Sequence, residues 1–149
     1  MATPAEPPRA IAQEGLVDAL VQVSFVTMAV LSKVGAEHDL SLTQLRVLGI
    51  LRDRRVRMTR LADYLGLEKS TLTGLVDRAA KRGLLERGPN PHDGRAVDVF
   101  ISPAGAALAE RLHAQVRRSL SPLTSALGLA EQRQVQTLLE RMLAPHESG

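Results

Sequence analysis

The run Arg82-Gly-Leu-Leu-Glu-Arg-Gly-Pro-Asn-Pro-His-Asp-Gly-Arg95, followed at once by the alternating Ala96 to Ile101, constrains the fold more than any other stretch. It reads as a strand, a tight turn built from Pro and Gly and tipped with charge, and a second strand. Two such strands cannot form a stable sheet alone, so the hairpin must lean on a neighbour. Just before it, Leu61 to Lys81 reads as two short helices joined at Gly66. A helix pair followed by a basic hairpin is the order of a winged helix-turn-helix, an arrangement that can hold nucleic acid.

The rest of the chain is helical in pattern. Gly15 to Gly35 carries two apolar stripes: Leu16, Leu20, Val23, Val30 and Val34 on one, Val17, Val21, Phe25 and Met28 on the other. One stripe suits a single core; two need burial on two sides, and in a chain this small the second side is most simply another subunit. Ser41-Leu-Thr-Gln44 has the spacing of a capping box, opening a helix through Arg52 with Leu42, Leu45, Leu48 and Leu51 inward. Arg52 to Arg57 reads as a charged connector. Thr59 is placed to cap the next helix, with Leu61, Ala62 and Leu65 inward before Gly66. The helix Lys69 to Arg82 turns Leu72, Leu75, Val76 and Ala79 inward and Ser70, Thr73, Gly74, Asp77 and Lys81 outward, with Thr71 and Arg78 beside them. Ser102-Pro103 is a cap with proline at the first helical position, opening a helix marked by Ala104, Leu108, Leu112, Val116 and Leu120. Pro122 and Gly128 bracket a break before a last helix with Val135, Leu138, Leu139, Met142 and Leu143. The fold class is mainly α, with strand confined to a two-stranded β wing.

Composition narrows the functions open to the chain. There is no cysteine, which excludes disulfides, thiolate metal sites and thiol redox sensing, and is compatible with a cytoplasmic home. Met1 to Arg9, rich in Pro and Ala and without a basic leader, reads as a loose tail. Leu16 to Leu31 is interrupted by Asp18, Gln22, Ser24 and Thr27, and reads as too short and too polar to cross a bilayer, hence as a buried soluble helix with no membrane partner. Net charge is +3, but Arg52 to Arg95 holds eleven Lys/Arg against six Asp/Glu, while the remainder holds eight against ten. Basic charge thus gathers on the winged motif, where it serves either phosphate contact or a merely solvated face. His38, His92, His113 and His146 form no HxxxH or HExxH pair, so no metal is expected. There is no nucleophile elbow or Gly-rich phosphate loop, so neither catalysis nor a cofactor is expected.

On the helix Lys69 to Arg82, Ser70, Thr71 and Thr73 can donate to phosphates or base edges, and Lys69, Arg78 and Lys81 supply phosphate charge. Arg95 stands at the Gly/Pro-shaped tip, either solvated or drawn into a narrow minor groove, where negative potential concentrates. Asp93 beside it serves equally well as a turn former.

These pieces resemble the MarR family of winged helix-turn-helix transcriptional regulators. The match lies in Leu61-Ala62, Ser70-Thr-Leu-Thr-Gly-Leu-Val-Asp77, Arg82-Gly-Leu-Leu-Glu-Arg87 and Asp93-Gly-Arg95, with a looser one at Leu40 to Leu48; order and spacing together make it specific. The resemblance spans the chain from residue 10 onward. It implies a tail over 1–9 and a single winged-helix domain over 10–149, with dimerisation helices at 10–40 and 103–149 and a DNA-binding lobe at 41–102. It implies a homodimer on a pseudo-palindromic operator, with the Lys69 to Arg82 helix in the major groove and the wing in the flanking minor groove. By the resemblance, Arg95 is the wing-tip arginine, Asp93 its orienting carboxylate and Arg87 the arginine at the wing's base. A pocket for a small-molecule effector that releases a repressor is implied as well, without naming its lining. The chain departs from the family at Gly94, Thr73-Gly74 and Ala79-Ala80, which bears on the operator sequence rather than the fold. A ligand-independent regulator, an architectural DNA binder and a small-molecule carrier on the same fold are the alternative readings.

Overall fold

The computed structural model describes residues 9–147, with side chains described from 13 to 144. The elements run α1 (Arg9–Glu37), α2 (Leu42–Leu51), β1 (Val56–Arg57), α3 (Met58–Leu65), α4 (Lys69–Lys81), β2 (Leu85–Asn90), β3 (Asp93–Ile101), α5 (Pro103–Thr124) and α6 (Leu129–Glu147). The tail assigned to Met1 to Arg9 lies outside the described residues, except that Arg9 already begins α1.

The winged lobe has one core. Val47, Leu48 and Leu51 of α2, Leu61 and Ala62 of α3, and Leu72, Leu75, Val76 and Ala79 of α4 are buried together with Leu84, Leu85, Val99, Leu108 and Leu112. All four residues of the inward stripe on α4 are therefore where helical periodicity puts them. Leu42 is not: it is exposed at the first position of α2, beyond the edge of the core. Ser41 and Gln44 form the capping box, with Gln44 N donating to Ser41 Oγ at 3.1 Å and Ser41 N to Gln44 Oε1 at 2.9 Å.

The sheet has three antiparallel strands in the order β1-β3-β2, where two were expected. The extra strand pairs Val56 with Val99 and Arg57 with Asp98. A strand of only two residues, Val56-Arg57, is too short to show alternation, so the sequence pattern does not separate it from the charged connector. Because β1 runs straight into α3, the residue before that helix is Arg57, and no side chain caps it; Thr59 lies inside the first turn instead. Gly66 and Gly83 close α3 and α4 with φ of 65° and 75°, the left-handed geometry that favours glycine. Ser102 caps α5 by accepting from Gly105 N at 2.9 Å. Pro122 does not break α5; its fixed φ is helical and one missing N–H leaves the last turn intact, so the chain departs only after Thr124.

α1 finds only part of its cover in its own chain. It is not buried within its own chain: Leu16 is 62% exposed and Phe25 66%, and only near its C-terminal end do Val30 and Val34 reach the core. One apolar stripe is thus partly covered and the other is open. By length and composition alone, Gln13–Glu37 also holds an 18-residue stretch apolar enough to cross a membrane, with mean hydropathy 1.7, a test that the core helix of a soluble protein passes as well. α6 exposes Leu129, Val135, Leu138, Leu139, Met142 and Leu143 in the same way. The chain presents 10921 Å² to solvent, against about 7,400 Å² from size scaling for a compact monomer of its mass.

Candidate nucleic-acid interface

The turn at Gly66 sets α4 across α3, and the apolar face of α4 is consumed by the core, so its polar face must look outward. Lys69, Ser70, Thr71, Arg78 and Lys81 are exposed, and Thr73, Gly74 and Asp77 half-buried. Thr73 donates its hydroxyl to Lys69 O at 2.8 Å, which leaves its oxygen as an acceptor. At Gly74 a Cβ would meet only the Arg78 guanidinium, at 3.4 Å, so the surface there is open to close approach.

The wing is β2 and β3 joined by Pro91 and His92, a shorter turn than the Pro89 to Gly94 stretch suggests. Asn90 makes it: its Oδ1 accepts from His92 N at 2.9 Å and from Asp93 N at 3.1 Å. Asp93 in turn accepts from Arg95 N at 3.1 Å and stands 4.0 Å from the Arg57 guanidinium. This contact is to the Arg95 backbone amide, two residues on, and so shapes the turn. Arg87 pairs with Asp77 and thereby ties the base of the wing to α4.

Between α3, the start of α4 and the wing lies a groove of about 250 Å³ lined by Arg57, Met58, Thr59, Lys69, Thr73, Arg87, Arg95, Ala96 and Val97. It brings together four of the expected residues, Lys69, Thr73, Arg87 and Arg95, and adds Arg57. Four of its lining residues are cationic and none is acidic, the chemistry of a phosphate or other anion site. Ser70, Thr71, Gly74, Arg78, Lys81 and Asp93 are not part of that lining. Among the described residues no three of His, Cys, Asp and Glu stand close enough to hold a metal ion.

Sequence reasoning missed a buried polar cluster behind the wing. Arg55, read as part of the charged connector, donates Nε to Asp98 Oδ2 at 2.8 Å and Nη2 to Pro89 O at 2.8 Å. Its guanidinium also lies over the Phe100 ring, 4.4 Å from the centroid. Asp98 is only 2% exposed. The available signal was a lone carboxylate inside the apolar run Val97 to Ile101, a position that demands a partner. The Arg55 hydrogen bond and then that of Asn90 hold the Asp98 carboxyl below the usual carboxylate range, against burial, which pushes the other way. A depressed folded-state value stabilises above the ordinary carboxylate pKa of about 3.9 and loses that contribution as pH falls through the lowered value. The stability advantage of the parent over Asp98→Asn, measured by denaturant unfolding, is accordingly expected to shrink as pH drops below about 4; an advantage that grows toward acid would contradict the pairing.

Arg82 has a different task from its neighbours. It donates to Asp39 O at 2.9 Å and His38 O at 2.8 Å, fastening the end of α4 to the corner between α1 and α2.

Comparison with known proteins agrees with this geometry. The model of the MarR family matches residues 38–96, from the α1–α2 corner to the wing. The multiple antibiotic resistance protein MarR of Salmonella typhimurium is 34% identical over 107 residues, covering 70% of this chain and 74% of that one. A solved structure of the multiple antibiotic resistance repressor MarR superposes with a TM-score of 0.73 at 28% identity, covering 86% of this chain and 94% of the other. A serine-for-cysteine mutant of E. coli MarR complexed with operator DNA superposes with a TM-score of 0.69 at 27% identity, covering 92% and 99%. In the order of its elements, the construction of its wing and its likeness to these relatives, the chain belongs to the MarR family.

Proposed function

We propose that the chain is a sequence-specific DNA-binding transcriptional regulator of the cytoplasm, a repressor that acts as a homodimer on a pseudo-palindromic operator and is released by a small molecule. The observation that carries this is the groove between α4 and the wing, where four cationic side chains converge and only Arg57 and Arg87 of them also meet a carboxylate, Asp93 and Asp77. The likeness to a relative complexed with operator DNA supports the same reading. Ser70, Thr71 and Thr73 face base edges and phosphates of the major groove, Gly74 lets the helix approach, and Lys69, Arg78 and Lys81 take phosphates. Arg87 holds the wing's base against α4, and Arg95, oriented by Asp93, enters the minor groove. α1 and α6, within 10–40 and 103–149, supply the dimer seam, and 41–102 the DNA-binding lobe. The open apolar faces of both helices support that division.

Release by an effector is supported by a second, mostly apolar pocket of about 160 Å³ between α1, α2 and α5, lined by Leu31, Leu45, Leu48, Gly49, Arg52, Ala109, Leu112, His113 and Val116. A ligand there would bear on helices of both the seam and the lobe, and so bias the spacing of the two recognition helices.

The test uses the tightest duplex that the parent protein selects from a randomised library. Arg95→Ala is expected to weaken that duplex by about 1–3 kcal/mol per half-site. Lys81→Ala should weaken all duplexes alike and lower the salt slope by roughly one, from a parent value on the order of −5 to −9. Equal affinity for selected and scrambled duplexes would make the chain an architectural binder; no DNA binding at all would favour a small-molecule carrier.

A further inference from the structure

A line of hydrogen bonds runs from the α2–β1 loop to the tip of the wing. Arg55 binds Asp98 Oδ2 and Pro89 O, both at 2.8 Å. Asn90 donates Nδ2 to Asp98 Oδ1 at 3.0 Å, while its Oδ1 accepts from the amides of His92 and Asp93. Asp93 then accepts from the amide of Arg95. Asn90 is the junction: one end of its amide faces the buried carboxylate and the other caps the turn.

The strand ladder does not do this work. β2 and β3 pair Pro89 with Val97 and next Asn90 with Asp93, so Gly94, Arg95 and Ala96 have no partner across the hairpin. Such an irregularity re-aims side chains and frees the strand from its register. Arg95 sits inside it, so its direction depends on the side chains that hold the turn. Arg55 is fixed in turn on several sides. Phe100 lies under its guanidinium, and at Gly88 a Cβ would stand 3.3 Å from both Arg55 Nη2 and Phe100 Cε1.

We infer that Arg55 is a positioning residue for the wing tip, acting through Asp98 and Asn90 to set the direction in which Arg95 meets DNA, and not a DNA contact itself. This rests on the proposed reading of Arg95 as a minor-groove residue. Two of the Arg55 nitrogens are already committed to the protein, and the planar fork that reaches Asp98 and Pro89 at once is a geometry an ammonium cannot copy.

The test is a double-mutant cycle of Arg55→Ala and Arg95→Ala in the full chain, read by affinity for the duplex selected by the parent. Arg55→Ala is expected to cost about tenfold alone and less than about twofold in the Arg95→Ala background, with the salt slope unchanged. Arg55→Lys should stay impaired. Without DNA, amide hydrogen exchange at His92, Asp93 and Arg95 should speed up in Arg55→Ala while α4 keeps its protection. Should Arg55→Ala fail to fold, Asp98→Asn, which keeps shape and removes the charge, is expected to show the same non-additivity. Equal losses in both backgrounds with a slope reduced by about one would make Arg55 a phosphate contact and overturn the inference. Full recovery with Arg55→Lys, or unchanged exchange at the tip, would overturn it too. If Arg95→Ala alone binds like the parent, the minor-groove reading falls first, and the inference with it.

Discussion

Leu20→Glu combined with Phe25→Glu is expected to convert the protein to monomers and to lower affinity for its selected duplex by two orders of magnitude or more. Each substitution places a carboxylate on one of the two apolar stripes of α1. Neither residue belongs to the core of the winged lobe, so the lobe itself should keep its fold. In a dimer sealed along α1 and α6, four carboxylates would be carried into an apolar seam, and an uncompensated buried charge costs about 3–5 kcal/mol. Losing the seam unlinks the two half-sites, and linkage of that kind is worth roughly 10²–10⁴ in affinity without any new contact. Sedimentation at micromolar concentration and duplex titration read the two effects separately. A double variant that remains a dimer and binds as before would show that α1 is not the seam. Circular dichroism retaining most helix would exclude collapse of the lobe as the cause.

That experiment addresses what the chain cannot satisfy by itself, and the same feature marks how far the sequence could be read. The α4 stripe was legible because Leu72, Leu75, Val76 and Ala79 recur at helical spacing and the lobe buries that face alone. The α1 stripes were legible as pattern, two faces of which one chain this small can cover only one; the structure covers Val30 and Val34 of those named and leaves the other stripe open. Periodicity reports that a face needs covering and is silent on what covers it. The hairpin was legible from Pro and Gly, yet its turn is tighter than the punctuation implied, because Asn90 closes it with a side chain rather than a backbone signal. β1 was illegible for want of length. Arg55 and Asp98 lie 43 positions apart in sequence, and a pair so distant shows no local spacing. In the site, Lys69 and Thr73, singled out by their chemistry, line one groove with Arg87 and Arg95, singled out by the family resemblance, whereas Arg57 joins them only because β1 carries it there.

Gly105→Ala is expected to destabilise the fold by about 3 kcal/mol or more, a fall in melting temperature of roughly 6–12 °C for a chain of this size. Gly105 lies in the first turn of α5, where its amide donates to Ser102 Oγ. Directly opposite is the corner that links α4 to β2: Ser102 N donates to Leu84 O at 3.0 Å, and Ser102 Oγ donates to Gly83 O. A Cβ at position 105 would overlap the Leu84 carbonyl oxygen and lie 2.9 Å from Leu84 C and from Ile101 Cγ1. Backbone cannot rotate aside as a flexible side chain would, so α5 must lift from the corner. Lifting it breaks both Ser102 bonds and draws Leu108, Ala109 and Leu112 out of the core, and these residues couple α5 to the recognition lobe. Gly49→Ala is the matched control, a glycine in the last turn of α2 with nothing within 4 Å of the new methyl. It should stabilise by about 0.5–1 kcal/mol through helix propensity. Both variants should be melted at one fixed protein concentration, because the midpoint depends on it wherever subunits associate. If Gly105→Ala melts with the parent, the contact between α5 and the Gly83–Leu84 corner is looser than the structure shows, and α5 is free to shift against the DNA-binding lobe.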